Sequence, residues 1–431
     1  MDIRSHHINV EQLNLLMGLI GKINSNINVD ALLHEIMEAA KLIMDTEASS
    51  LFLLSEDKTK LILTIPTGPV TAELSGKSIP ANSGISGWSV QYRQTLIIDD
   101  IQSDPRFNGE LSKESDFVSK NMICVPLINH DNQVIGALQS INKNKGKDFN
   151  TSDIHLFQTL ANHAAIAIES TMLHEQRIEK EIMDKELEVA RNIQSGFWPK
   201  SIPEIANYQI SGYSRAAKSV GGDYFDYIEI PNSKNWGFTV ADVSGKGVPA
   251  SLLMATMRAS LRSHVENSRN VVDSMKMVNK IIYEDSPIDK FITAVYGVLD
   301  TEKNTFRYVN AGHNNPLLVN PKEKTITKLI SSGVMLGIIQ PIEFEVDVIE
   351  IKIGEKLVIF SDGIPEAENL EGEFFEDETL EQWLLDNADL GASQMMAKLL
   401  DTLYNFTQGA NQSDDITIII IERVSDTEPH S

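Results

Sequence analysis

The chain has 431 residues, 42% hydrophobic and 23% charged, a globular composition too long for one ordinary domain. Its formal charge of 37 − 61 = −24 gives a surface that repels nucleic acid and anionic lipid, so neither is expected as a partner. A single cysteine excludes an internal disulfide and a multi-cysteine metal site. No apolar run reaches membrane-span length and Met1-Asp2-Ile3-Arg4-Ser5 does not open a signal peptide, so a cytoplasmic location is expected.

From the N-terminus, Leu13, Leu16, Met17, Ile20 and Ile23 recur at helical spacing and predict a helix within 1–27. A second helix follows Asn28, with Leu32, Leu33, Ile36, Met37, Ala40 and Ile43 on one stripe. Strands are expected over 49–54, 60–65, 95–98, 122–129 and 134–142, the last two joined by the polar turn His130-Asp131-Asn132-Gln133. Cys124 lies inside one of these apolar runs and reads as a small buried hydrophobe. A long helix begins at the N-cap-like pair Asn150-Thr151 and turns Ile154, Phe157, Ala161, Ala164 and Ile168 inward. Helix, strands and helix make one α+β domain over 28–170.

Over 171–200 the pattern becomes more polar. Met183, Leu187, Ala190, Gln194 and Phe197 keep heptad spacing, with Ile178, Ile182, Val189 and Ile193 in an adjoining stripe. Two readings are open: a single exposed helix packed on its own domain, or a two-stranded parallel coiled coil between subunits of a homodimer. A helix this polar has little else to pack against, which favours the coil. Trp198-Pro199 ends it.

A third segment, 203–424, is again α+β. Strands are expected over 236–241, 291–299, 305–310, 317–319, 346–351, 356–360 and 416–421, and helices over 249–264 and 271–283. Polar turns such as Asp300-Thr301-Glu302-Lys303 imply antiparallel sheets.

Within this segment four aspartates stand at strand ends beside glycine or another aspartate. They lie in Gly221-Gly222-Asp223, Ala241-Asp242-Val243-Ser244-Gly245-Lys246-Gly247, Phe360-Ser361-Asp362-Gly363 and Ser413-Asp414-Asp415. An aspartate closing an apolar strand is costly unless paired or bound to a cation. Any one Asp-Gly is more often a turn. Four that converge at the edge of a β-sandwich would offer hard oxygen ligands suited to Mg²⁺ or Mn²⁺. A P-loop is excluded: Gly245-Lys246 is followed by Gly247, and the position five before Gly245 is Val240.

This set of motifs, with Val220-Gly221-Gly222-Asp223-Tyr224-Phe225-Asp226 and Asn310-Ala311-Gly312-His313-Asn314, resembles the bacterial branch of the metal-dependent (PPM) protein phosphatases. That branch includes stage II sporulation protein E and the phosphatases of the stress sigma-factor pathway. Leu187-Glu188-Val189-Ala190-Arg191-Asn192-Ile193-Gln194 looks like the helix that precedes this domain in the family. The resemblance implies an α-β-β-α sandwich that hydrolyses phosphoserine or phosphothreonine in a protein, with two Mn²⁺ or Mg²⁺ ions about 4 Å apart sharing a hydroxide. It casts Asp242 as the bridging ligand with the Val243 carbonyl beside it, Asp362 and Asp414 on one ion, and Asp223 on the other. Asp242 and Asp362 would be the catalytic pair, and Asp415 and Asp226 supporting or third-metal candidates. Lys246 departs from relatives that carry His there; it reads as a phosphate contact or an exposed lysine. Lys218 is similarly open, and His313 reads as a shaping residue rather than a base. The substrates implied are phosphorylated STAS-type anti-sigma factor antagonists. The competing reading is a ligand-binding regulatory scaffold whose phosphatase fold is not catalytic.

The segment 28–170 resembles a GAF domain, an antiparallel sheet with flanking helices. The likeness rests on Gly84-Ile85-Ser86-Gly87-Trp88, Ile98-Asp99-Asp100, Asp104-Pro105-Arg106-Phe107, Val125-Pro126-Leu127 and Val134-Ile135-Gly136. It implies a small-molecule ligand and a regulatory role. Asn142, Lys143, Phe149 and Asp153 match most of a motif in GAF domains that bind cyclic nucleotides, in which a Lys–Asp ion pair braces a lid; Ile154 stands where that motif has Glu. The expectation is cAMP or cGMP as ligand, set against Asp153 merely capping its helix with Lys143 in solvent.

Overall fold

The computed structural model describes residues 14, 15, 17, 18, 20, 21, 28–67, 74–107, 117–266, 270–287, 289–330 and 333–424. Of the N-terminal helix expected within 1–27, Leu13, Leu16 and Ile23 lie outside the described residues; the six that are described are helical. The chain divides into two compact units, Met1–Ile182 and Met183–Ser431.

The first unit is built on one antiparallel six-stranded sheet of order β3-β2-β1-β6-β5-β4. Its strands are β1 (Thr46–Leu54), β2 (Lys60–Thr67), β3 (Ser78–Pro80), β4 (Leu96–Ile98), β5 (Met122–Ile128) and β6 (Val134–Lys143). Helix α1 (Val29–Met44) starts where the Asn28 side chain accepts a hydrogen bond from the Ala31 N–H. Its stripe from Leu32 to Met44 packs with Phe157, Leu160, Ala161, Ala164 and Ile168 of α3 (Thr151–Ser195) on one face of the sheet. Helix α2 (Gly84–Tyr92), which sequence reading treated only as a motif, lends Ile85 to a second cluster with Met122, Cys124 and Ile141. Cys124 is fully buried, and burial pushes its thiol up to about 11, which keeps it protonated and unreactive. The β5–β6 turn closes at Asn132, whose φ of 61° suits asparagine, while Asn129 accepts from the Gln133 N–H.

The second unit stacks two antiparallel five-stranded sheets. One has the order β14-β11-β10-β9-β8, from β8 (Tyr224–Glu229), β9 (Trp236–Val243), β10 (Ile292–Asp300), β11 (Thr305–Ala311) and β14 (Asp347–Glu350). The other has the order β13-β12-β15-β16-β7, from β7 (Tyr208–Arg215), β12 (Leu317–Asn320), β13 (Thr325–Lys328), β15 (Lys356–Phe360) and β16 (Ile416–Arg423). Helices α4 (Val248–Val265) and α5 (Val271–Asp285) cover the first sheet, and α6 (Asp377–Asp386) and α7 (Ala392–Thr407) the second. This is the expected α-β-β-α sandwich.

The isoleucine run of β16 shows why the layers form. Ile419 and Ile421 enter the core between the sheets, whereas Ile418 and Ile420 face the helices. A strand buried on both faces must be apolar without alternation. β15 divides likewise: Leu357 and Ile359 point to the sheet core, Val358 and Phe360 to the helices. Strands β7, β8 and β13 and helices α6 and α7 were not expected from the sequence. Glu422, at the end of β16, binds the buried Lys356 ammonium at 3.1 Å and accepts from the Ala392 N–H at 2.7 Å, so its charge sits on the N-terminus of α7. Among the described residues no helix is long and apolar enough to cross a membrane.

Candidate active site

Neighbouring strand ends bring four distant aspartates to one edge of the sandwich. Asp223 immediately precedes β8, Asp242 is the penultimate residue of β9 and pairs across the ladder with Thr293, Asp362 follows β15, and Asp414 precedes β16. Two of them bear on each other directly. Burial, then the charge of Asp242, drives the Asp223 carboxyl well above its ordinary range. Burial, with Asp362 and Asp414 alongside, pushes Asp242 up to about 7. Burial, Glu366 and Asp414 push Asp362 up to about 6. Clustered carboxylates with raised proton affinity are the electrostatic mark of a cation site or an acid–base centre.

Asp415 is engaged differently. One oxygen accepts from the Ala217 N–H at 2.7 Å; the other accepts from Gly222 at 2.7 Å and Asp223 at 3.2 Å. It holds the 217–223 segment in place, and a Cβ at Gly363 would stand 1.9 Å from its carbonyl oxygen, so glycine alone fits there. Asp226, fully buried, takes a two-pronged bond from Arg262 at 2.6 Å on each oxygen, plus the Tyr224 hydroxyl. It is a structural ion pair beneath the site.

The residues suit hard divalent cations in their chemistry. The donors are oxygens, Asp223 Oδ2 is buried without a hydrogen-bond partner, and Gly222 leaves the Val243 carbonyl open, 3.0 Å from where a Cβ would stand. The carboxylates are nevertheless spread. Among the described residues, the trio with ligand atoms all within 4.8 Å of one another is His130 and Asp131 on the exposed β5–β6 turn with Glu169 of α3, the imidazole lying 3.2 Å from each carboxylate. Like charges repel, and Asp223, Asp242, Asp362 and Asp414 would have to draw together to share an ion.

Lys246 sits at the rim, its ammonium 2.9 Å from Asp414 and donating to the Ser413 carbonyl at 2.7 Å. Lys218 is exposed. His313 is buried; its Nδ1 meets the Thr293 hydroxyl at 2.8 Å, and burial lowers the ring to about 4, which keeps it neutral. Its backbone N–H donates to the Asn310 side chain, and through Thr293 the ring supports β10.

Gln194 corrects the heptad reading. It is buried, donates to the Gly221 carbonyl at 2.7 Å and accepts from the Gly221 N–H at 3.1 Å, two residues from Asp223. Phe197 packs on the core under α4 with Arg258 over its ring. Both are used within their own chain, so a seam to another subunit ends before Gln194. A polar residue in an apolar heptad slot was the available signal. Gln194→Leu is expected to unpin Gly221 and lower metal-dependent turnover about tenfold through weaker metal binding. A manganese titration with an unchanged midpoint would refute this.

The raised carboxyls also predict a pH dependence. Groups whose proton affinity is raised in the folded state favour folding below their ordinary value and lose that contribution as pH rises through the folded value. In chelator, the melting temperature should therefore fall between pH 5 and about 7.5, the window set by Asp242 and Asp362, and added Mn²⁺ should reverse the fall. Calorimetry with and without chelator checks it.

In the first unit, Lys143 forms an ion pair with Asp153, both nearly buried, and its ammonium lies 5.2 Å from the Phe149 ring centroid. Asp153 also accepts from the Asn150 N–H while Asn150 accepts from Asp153, a reciprocal cap on α3. Asn142, at φ 60°, accepts from Lys120 and donates to Glu47 and the Val118 carbonyl.

The sequence profile described as stage II sporulation protein E (SpoIIE) matches residues 232–424, and that of the GAF domain matches residues 28–168. The phosphoserine phosphatase RsbU of Bacillus subtilis is 29% identical over 246 residues, 57% of this chain and 72% of RsbU. A cGMP-specific 3',5'-cyclic phosphodiesterase of Drosophila melanogaster is 26% identical over 191 residues, 42% of this chain and 17% of that protein. The solved SiaA-PP2C domain of Pseudomonas aeruginosa, 18% identical, superposes with a TM-score of 0.51 over 57% of this chain and 98% of its own and shares the sandwich fold. The chain therefore resembles a GAF domain over residues 28–168 and a SpoIIE-type serine/threonine phosphatase over residues 232–424, the latter with the PP2C fold.

Proposed function

We propose that this protein is a metal-dependent phosphatase that removes phosphate from serine or threonine of a small regulatory protein, under control of its GAF domain. The observation that carries the reading is the group of buried Asp223 with half-buried Asp242, Asp362 and Asp414, with one orphaned oxygen on Asp223. Asp223, Asp242, Asp362 and Asp414, with the Val243 carbonyl, would hold two Mn²⁺ or Mg²⁺ ions. When bound, such ions supply a hydroxide nucleophile at neutral pH and offset charge on the phosphoryl oxygens. The chain's own residues do the positioning: Asp415 clamps the 217–223 backbone, Gln194 fixes Gly221, and Lys246 holds Asp414 while placing a positive charge at the rim.

RsbU is by name a phosphoserine phosphatase, and the sequence likeness supports that substrate class for this chain; the partner proposed, from the motif resemblance, is a phosphorylated STAS-type anti-sigma factor antagonist. The test is phosphate release from an aryl phosphate and from a phosphorylated STAS domain, with Mn²⁺ or with chelator. Release that requires metal supports the reading. Binding of the STAS domain without turnover would instead favour the non-catalytic scaffold.

Two finer assignments belong with it. Ile178, Ile182, Met183, Val189 and Ile193 of α3 are exposed, an apolar stripe that a second copy in a homodimer would cover; light scattering showing a monomer at tens of micromolar would rule this out. The Lys143–Asp153 pair and the likeness to a cGMP-specific phosphodiesterase point to a cyclic nucleotide in the GAF domain. Calorimetry of the full chain with cAMP and cGMP decides it: no heat at millimolar nucleotide removes that ligand.

A further inference from the structure

Beside the carboxylates, within the phosphatase unit, lies a cleft of about 480 Å³. It is walled by the end of β7, the segment after Asp362, the last turns of α7 and the 409–413 loop. Ala367 and Leu403 are buried and Tyr404 is 73% exposed, so apolar groups form its depth and the tyrosine stands at its mouth. Its volume falls in the range of small-ligand and side-chain pockets.

The cleft and the aspartate cluster share a wall. Gly363 and Ser413 line the cleft, and each is one residue from a cluster aspartate, Asp362 and Asp414, a step of about 3.8 Å. Ala217 lines it too, and its N–H donates to Asp415. Gln412 pins the far loop by donating to the Arg215 carbonyl at 2.9 Å and the Asp414 carbonyl at 2.7 Å. That wall is thus built from the same backbone that positions the aspartates, and the cleft is preformed.

An extended peptide advances about 3.3 Å per residue with side chains alternating in direction. A chain whose phosphorylated residue lies at the aspartates therefore places a side chain one or two positions away at the cleft mouth. Arg215 and Glu368 on the walls carry opposite charges, so the lining has no net charge from this pair and the apolar depth selects. Resting on the phosphatase reading above, we propose that this cleft receives an apolar side chain within two residues of the substrate's phosphoserine or phosphothreonine, and so sets sequence preference.

The experiment uses the full chain with Mn²⁺ and three substrates: an aryl phosphate, an alanine-background phosphoserine peptide, and the same peptide with leucine scanned over the two positions on each side. The unmodified protein should prefer one leucine peptide by about tenfold in kcat/KM, the discrimination a hydrophobic pocket commonly supplies. Ala410→Trp, which narrows the cleft from a partly exposed loop position, should erase that preference while the aryl phosphate rate is kept. Tyr404→Ala, at an exposed helical position, should reduce it without threatening the fold and carries the test should the tryptophan variant melt early. Equal rates on all peptides with the unmodified protein, or a preference untouched by both variants, would overturn the cleft assignment and leave the phosphatase reading standing. No metal-dependent release from any of the three substrates would overturn the phosphatase reading and this inference with it.

Discussion

Asp242→Ala is expected to lower metal-dependent phosphate release by roughly a thousandfold or more, the scale on which removing a central electrostatic element of a site acts. Asp242, on β9, interacts with Asp223 just before β8 and with Asp362 and Asp414, and its raised proton affinity records its burial and then the charge of Asp362 and Asp414. The same substitution should leave the chelated protein at least as stable as the unmodified chain at pH 8, because it removes one carboxylate from a crowded group. Activity and melting temperature thus move in opposite senses. A variant that keeps most of its manganese-dependent turnover would refute the site, and one that unfolds in chelator would refute the electrostatic account.

The largest effect on stability is expected at the ion pair beneath the site. Asp226 is fully buried, and Arg262, on α4, supplies both of its short charge-assisted bonds. Arg262→Leu leaves a buried carboxylate with only the Tyr224 hydroxyl and the Tyr227 N–H, and should cost about 3 kcal/mol. For a unit of this size that corresponds to a melting temperature roughly 10 °C lower. Pairing it with Asp226→Leu removes the stranded charge and should recover a good part of the loss. If the double variant is no more stable than the single one, the loss comes from packing of the arginine stem and the ion-pair account fails.

The apolar stripes were legible because burial writes itself directly into spacing. Leu32 to Ile43 on α1, and Phe157, Ala161, Ala164 and Ile168 on α3, recur every three or four residues because one helix face meets the sheet. The isoleucines of β16 form an unbroken run because both of its faces are covered. Less legible were β7 and β8, whose sequences, Tyr-Gln-Ile-Ser-Gly-Tyr-Ser-Arg and Tyr-Phe-Asp-Tyr-Ile-Glu, mix buried polar groups with aromatics. Helix α2 was hidden by its Gly-Ile-Ser-Gly opening, where glycine reads as a turn.

The sequence by itself determined the two domains' characters and the roster of chemically capable residues: four aspartates at strand ends, three of them next to a glycine or another aspartate and Asp242 three residues before Gly245. Only the tertiary structure decided what each carboxylate does, because that depends on partners hundreds of positions away. Asp223 and Asp415 are both acidic residues in Asp-rich motifs, yet one keeps an oxygen without a partner and the other spends both oxygens on the N–H groups of Ala217, Gly222 and Asp223. Gln194 in the linker pattern was likewise ambiguous until folding set it against Gly221, since a heptad slot specifies a direction on the helix and not the surface that meets it.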